Sequence, residues 1–269
     1  MFMQKIRRAT KKNRGVLMVI IGILIVGLVS SVAFMGGAPG VQQEGMTLEE
    51  WIAAFEDFTA GLDTEGLDFG GAWANADHFM ELSGLYWHMF ELTGMMEPEW
   101  HEKSIAAAGQ AEELYAQAYA QIPADLNDDA RMGFLFNYAS SREAQGNYAG
   151  ALEKLLQAEE VQPLNGALQA MIATMYAQEG NMLEAMVRFI SARDLDPDNM
   201  QIVDAYATFL FTFMEPRLAV REWEEYLEHI GAGHPNYEAA TGRRDYFSFL
   251  AAFLAPLPEL DLDDDEDDE

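Results

Sequence analysis

The chain has 269 residues, enough for one or two domains with a sizeable core, and half of them are hydrophobic. It contains no cysteine, which excludes disulfides, thiolate metal ligands, cysteine nucleophiles and a lipoprotein-type anchor. Of its 16 Lys and Arg residues, six lie in the first 14 positions, so the rest of the chain sets ten bases against all 45 acids, a formal charge of −35. Because such a surface repels phosphate, nucleic acid is excluded as an expected partner.

The N-terminal segment predicts a membrane anchor. Residues 1–14 are basic, and residues 15–35 contain no charged side chain. As a helix, the uncharged stretch is roughly 30 Å long, which matches the hydrocarbon core of a bilayer. The positive-inside rule places residues 1–14 in the cytoplasm and the rest outside it, as a single-pass protein of the cell membrane. The alternative is a cleaved signal peptide, since Ser31 and Ala33 offer small residues to signal peptidase, and the product is then a secreted soluble protein.

A 34-residue internal repeat is the strongest pattern in the chain. Two adjacent stretches share identities at this spacing, namely Ala139/Ala173, Gly146/Gly180, Asn147/Asn181, Ala151/Ala185, Ala158/Ala192, Pro163/Pro197 and Asn165/Asn199. Each glycine is expected to end a first helix with positive φ, and the later alanines share one face of a second helix. This helix–turn–helix pattern resembles the tetratricopeptide repeat family. The resemblance implies an all-α solenoid preceded by the single N-terminal transmembrane helix.

Segments on either side of the two good repeats follow the pattern less closely. A further first helix is expected over 75–93, closed by Gly94, and a capping helix over 237–254, with roughly nine helices in total and no strand. After the anchor, we expect a flexible linker, an atypical helical part, two good repeats, a degenerate repeat, a capping helix and a disordered acidic tail. Their bounds are 36–46, 47–131, 132–165, 166–199, 200–233, 234–256 and 257–269.

The resemblance also implies where a partner binds. Ligands of tetratricopeptide repeats commonly lie along the concave face that the first helix of each unit forms. Carried over position by position, this face is a partner-binding groove of Phe136, Ser140, Glu143, Ala170, Thr174, Gln178, Gln201, Asp204, Thr208 and Phe211. None of them is Lys or Arg, unlike the members that clamp a carboxylate terminus, so the groove suits an apolar or weakly basic peptide or a helix. The alternative is that some of these residues only pack between helices.

No catalytic motif is present: the chain lacks a phosphate-binding loop, a dinucleotide fingerprint, Gly-x-Ser-x-Gly and His-Glu-x-x-His. We therefore expect no enzyme activity, no cofactor and no metal, and a scaffold that binds another exported or membrane protein on the outer side of the cytoplasmic membrane. Its role would be assembly, secretion or that of a complex subunit. The alternative is a metal-binding or enzymatic site within 47–124, where His78/Glu81 and His88/Glu91 each share a helical face.

Overall fold

The computed structural model describes residues 47–254, and every regular element within them is a helix. The ten helices are α1 (Leu48–Ala60), α2 (Phe69–Leu92), α3 (Pro98–Tyr119), α4 (Asp128–Ala144), α5 (Tyr148–Val161), α6 (Gly166–Gln178), α7 (Met182–Leu195), α8 (Met200–Phe213), α9 (Pro216–Ile230) and α10 (Tyr237–Leu254). The all-α expectation is confirmed for this part of the chain, with ten helices instead of about nine.

The membrane and tail predictions concern other residues. The expected anchor at 15–35, with the basic segment 1–14, the linker 36–46 and the candidate cleavage site at Ala33, lies outside the described residues, as does the acidic tail 257–269. Between residues 47 and 254, no helix is both long and apolar enough to cross a membrane.

The helices pack in consecutive pairs: α2 with α3, α4 with α5, α6 with α7, and α8 with α9. Contacts also join the first helices of neighbouring pairs, α2 to α4 and α6 to α8. α1 packs on α2, and α10 closes the other end against α9. The arrangement is consistent with a solenoid-like fold, in which each pair covers the apolar face of the next.

The repeated Gly-Asn dipeptide builds the turn within a pair. Gly146 and Gly180 adopt φ of +74° and +81°, the left-handed conformation predicted for them. The next residue in each case, Asn147 or Asn181, donates its backbone N–H back into the preceding helix, at 2.9 and 2.8 Å. The side chain of the same asparagine accepts a hydrogen bond from the first turn of the following helix. One dipeptide therefore ends the first helix and starts the second.

Small residues set the spacing between paired helices. The repeated alanines at 139, 151, 158, 173, 185 and 192 are fully buried. With only a Cβ at each of these positions, the backbones of neighbouring helices approach closely, and larger side chains fill the remaining space. Trp223, Tyr115 and Phe134 are among the largest fully buried side chains.

Some helices begin where the repeat pattern predicts, and others begin earlier because a polar side chain caps them. α6 begins at Gly166 and α8 at Met200, as expected for the first residues of the second and third units. α4 instead begins before residue 132, because Asn127 accepts a hydrogen bond from Ala130. α2 begins before residue 75, because Asp68 caps it through Gly71. The expected closure of α2 at Gly94 is confirmed by φ of +65°.

We predict that Gly146→Ala and Gly180→Ala each lower the free energy of unfolding by about 1–2 kcal/mol, because an L side chain is strained at positive φ. No atom lies within 4 Å of a Cβ added at either position, so the cost is conformational and not a clash. Urea denaturation of the full chain in mild detergent, followed by circular dichroism, measures it. The matched control is Gly133→Ala inside α4, where the added Cβ also meets open space. There we expect a gain of about 0.5–1 kcal/mol, and loss of equal size at all three sites would contradict the turn assignment.

Candidate functional site

A small cavity of about 30 Å³ lies where three first helices meet. Its walls come mainly from α6 and α8, with one residue each from α4 (Glu143) and α7 (Phe189). The wall residues with polar side chains are Glu143, Thr174, Gln178, Thr208 and Thr212, and Phe213 stands among the apolar ones. We refer to this space as the Glu143 cavity. It joins the first helices of three consecutive pairs in one surface.

Four of the ten groove residues expected from the repeat resemblance line this cavity: Glu143, Thr174, Gln178 and Thr208. Thr208 is itself buried, so it forms cavity wall and not open surface. The other three are partly exposed. The structure thus brings together residues that lie far apart in the sequence.

The expected groove residues on either side lie away from the cavity. Phe136 and Ser140 are partly exposed on α4, and the Ser140 hydroxyl donates to the Phe136 carbonyl within the same helix, at 3.1 Å. Gln201 is exposed at the start of α8. None of these three contributes to the cavity wall.

Three expected groove residues are buried instead. Phe211 is 2% exposed and packs edge-on against Phe247 of α10, with ring centroids 5.6 Å apart. Asp204 is 3% exposed and forms an ion pair with Arg243, also on α10. Ala170 lies in the core against α8. The C-terminal helix covers the first two positions, so for these residues packing between helices describes the structure and an open groove does not.

Six of the ten residues that line the cavity were absent from the expected groove, among them Thr212 and Phe213. Thr212 lies 34 residues after Gln178, as Thr208 lies 34 after Thr174, so the repeat spacing alone points to it. Phe213 carries no such signal, because its equivalent in the previous unit is Glu179, an exposed residue beyond the end of α6.

Glu143 has an unusual electrostatic environment for a carboxylate. Burial raises its pKa to about 7. Within residues 47–254, no hydrogen bond or ion pair reaches its side chain, and the neighbouring Arg142 turns away to donate from Nε to Glu112 at 3.0 Å. Tyr148 on α5 responds to the charge, since burial and the Glu143 carboxylate both raise the pKa of its phenol. The cavity therefore contains an acid without a counter-ion.

The hydroxyl groups around Glu143 add unused hydrogen-bonding capacity. Thr212 Oγ1 is buried and has no hydrogen-bond partner within the described part of the chain. Thr174 donates to the Ala170 carbonyl at 3.1 Å, which leaves its oxygen lone pairs available as acceptors. The site is thus rich in acceptors and contains no basic side chain, which favours a cationic hydrogen-bond donor as ligand.

The histidine-containing segment has a different character. His78 lies 3.6 Å from Glu81 and packs edge-on against Phe58, and His88 lies 3.8 Å from Glu91. His101 stacks on Phe90, with ring centroids 5.1 Å apart. Across residues 47–254, no group of three or more His, Cys, Asp or Glu side chains is arranged to hold a metal ion. The geometry of this segment gives the metal-site alternative no support.

Comparison with known proteins does not extend the assignment: no protein-family model matches the chain, and a search of curated proteins finds no match. The class that the described residues define is an all-α, solenoid-like protein with a polar cavity between its first helices.

We predict that Glu143→Gln raises the free energy of unfolding by about 1–3 kcal/mol at pH 8 and leaves it unchanged at pH 4. In the unfolded chain Glu143 titrates near 4.5, and in the fold near 7. A raised folded-state pKa means that the contribution of Glu143 to stability is complete below pH 4.5 and is lost as the pH rises through 7. The lower part of the range is expected because the residue keeps some exposed surface. Denaturation of Glu143→Gln and of the exposed control Glu179→Gln at both pH values tests this, and equal effects of the two variants would contradict it.

Proposed function

We propose that the protein is a membrane-anchored tetratricopeptide-repeat scaffold that binds a segment of another exported or membrane protein along its first helices. The observation that carries this proposal is the Glu143 cavity, where residues of α4, α6 and α8 converge on one surface. Four of these residues are ones that the repeat resemblance assigns to partner binding. A groove formed by successive first helices is suited to an extended peptide or an amphipathic helix.

The proposed mechanism is positioning, not chemistry. Affinity would come from partner surface buried in the groove, and the charge of −35 on the chain after residue 14 would favour basic partners. Charge of this kind acts on the association rate more than on the affinity. The absence of Lys and Arg from the expected groove argues against partners that present a carboxylate terminus.

The anchor gives the proposed scaffold its location. With residues 1–14 in the cytoplasm and 15–35 in the bilayer, the linker 36–46 would let the helical body move on the order of 18 Å from the membrane surface. A protein held in this way suits assembly, secretion or a place in a membrane complex. Cleavage after Ala33 would instead release a soluble secreted form.

We predict that alkaline phosphatase fused to the C-terminus is active in intact cells, and that green fluorescent protein fused at the same point does not fluoresce. This result is expected because the positive-inside rule exports everything after residue 35. Fluorescence with an inactive phosphatase would overturn the topology. The intact mass of the purified protein separates the two exported forms, since a chain that begins at Phe34 would establish the secreted alternative.

We predict that the double variant Thr174→Arg/Gln178→Arg loses a partner that the natural protein retains, with recovery reduced about tenfold because two bulky cations then occupy the groove. The partner is recovered by crosslinking in intact cells, mild detergent extraction and mass spectrometry. The matched control, Leu183→Arg/Val187→Arg, adds the same charge at two exposed positions on α7. Both variants must keep the natural circular dichroism spectrum. A stoichiometric partner lost equally from both would place the binding surface elsewhere, and absence of any partner would contradict the scaffold proposal.

A further inference from the structure

Glu143 alone carries a charge among the described residues that line the cavity. Within residues 47–254 its carboxylate has no ion-pair partner, and the wall from α8 contains the buried, unpartnered hydroxyl of Thr212. A carboxylate that is partly withdrawn from water without a counter-ion is unfavourable, and a cation brought by a ligand reduces that cost. The accepting groups of the cavity wall would take up the N–H donors of such a cation.

The small space inside the cavity favours a compact cation. About 30 Å³ is accessible to a group the size of a water molecule, and the cavity is partly open to solvent. An ammonium group is a compact point charge of this size, whereas a guanidinium is a larger planar group with five donors. The apolar rim adds a surface for a hydrocarbon stem, because Phe213 is 37% exposed beside the polar wall.

We propose that the Glu143 cavity binds a primary ammonium group of the partner, either a lysine side chain or a free N-terminus, in preference to arginine. This inference rests on the proposed function, in that it specifies what the groove recognises. The ammonium pairs with the Glu143 carboxylate and donates hydrogen bonds to the threonine hydroxyls, while its carbon chain lies against Phe213.

The charged surroundings of Glu143 make this binding depend on pH. On its own helix, Arg142 is paired with Glu112 of α3 and lies 3.7 Å from Glu153 of α5. On α5 the titratable neighbour is Tyr148, and the cavity walls from α6, α7 and α8 are uncharged. Protonation of Glu143 therefore removes the negative charge that the ammonium needs. Binding is expected to strengthen as the pH rises from 6 to 8.

The test uses n-butylammonium as the probe and methyl-labelled threonine in the full chain in mild detergent. Addition of the probe at pH 8 is expected to shift the methyl resonances of Thr174, Thr208 and Thr212 in a saturable way, with Kd on the order of 1–10 mM for so small a ligand. Glu143→Gln is expected to weaken binding about tenfold, while the exposed control Glu179→Gln leaves it unchanged. n-Butylguanidinium and n-butanol are expected to bind at least fivefold more weakly than the ammonium.

Several outcomes would overturn the inference: no saturable shift at these threonines, equal Kd for Glu143→Gln and the natural protein, or equal binding of butanol. Two further probes separate the sources of the ammonium. Nα-acetyl-lysine methylamide presents only the side-chain amine, and alanine methylamide only the α-amine. Once each Kd is corrected for the fraction of the amine that is deprotonated at pH 8, the probe that binds more tightly shows which ammonium the cavity prefers.

Failure of this inference is distinguishable from failure of the proposed function. If a partner is crosslinked to the natural protein and equally to Glu143→Gln, the scaffold proposal stands and the ammonium site is wrong. If butylammonium binds in the cavity as expected but no partner is recovered from cells, the site exists and the scaffold proposal fails.

Discussion

The chain reversal within each helical pair is the constraint on which the other features depend. Gly146 and Gly180 take a conformation that other residues adopt only under strain, and the asparagine that follows each of them starts the next helix. The two helices that each turn joins pack against each other, and the fully buried alanines lie along them. Glu143, Gln178 and Phe213 each lie in the last turn of a first helix. The cavity that they line is therefore located at the end of these helices where the chain turns back.

Ion pairs join neighbouring helical pairs at equivalent repeat positions, but the acidic and basic residues are exchanged between the two interfaces. Arg188 of α7 pairs with Glu159 of α5, and Glu222 of α9 pairs with Arg193 of α7. In both ion pairs the two partners are 29 residues apart in the sequence. Arg193 lies 34 residues after Glu159, and Glu222 lies 34 residues after Arg188, so the two ion pairs occupy equivalent repeat positions. The signs are exchanged between the two interfaces. Coulomb attraction is the same when the acid and the base change places, so both interfaces keep an ion pair although the residues differ. A search for identical residues at a spacing of 34 therefore does not detect this equivalence.

The sequence was informative where local chemistry decides the structure and less so where packing does. Helix ends at Gly94, Gly146 and Gly180 could be predicted because a residue with positive φ at the end of a helix is usually glycine. The groove was predictable only in part. The repeat resemblance led us to expect Asp204 and Phe211 in an open groove, but α10 packs against them. The 34-residue period does not predict where α10 packs, because α10 lies outside the repeated segments. Phe213 was not predicted because its equivalent in the previous unit is Glu179, which gives no signal of a cavity.

Glu143 has no ion-pair or hydrogen-bond partner within the described residues, whereas other buried or partly buried acidic residues have one. Glu112, Glu159, Asp204 and Glu222 each meet an arginine. Asp77, whose pKa is raised by burial, still accepts hydrogen bonds from Tyr115 and Asn137. The chain has only ten bases after residue 14, and four of them pair with these acids while none pairs with Glu143. A carboxylate whose pKa is raised by burial and that has no counter-ion, in a cavity lined by several helices, is the kind of local conflict that proteins retain at functional sites. In the proposed scaffold the missing counter-ion would arrive with the partner, so that the same desolvation that destabilises the free protein contributes to recognition.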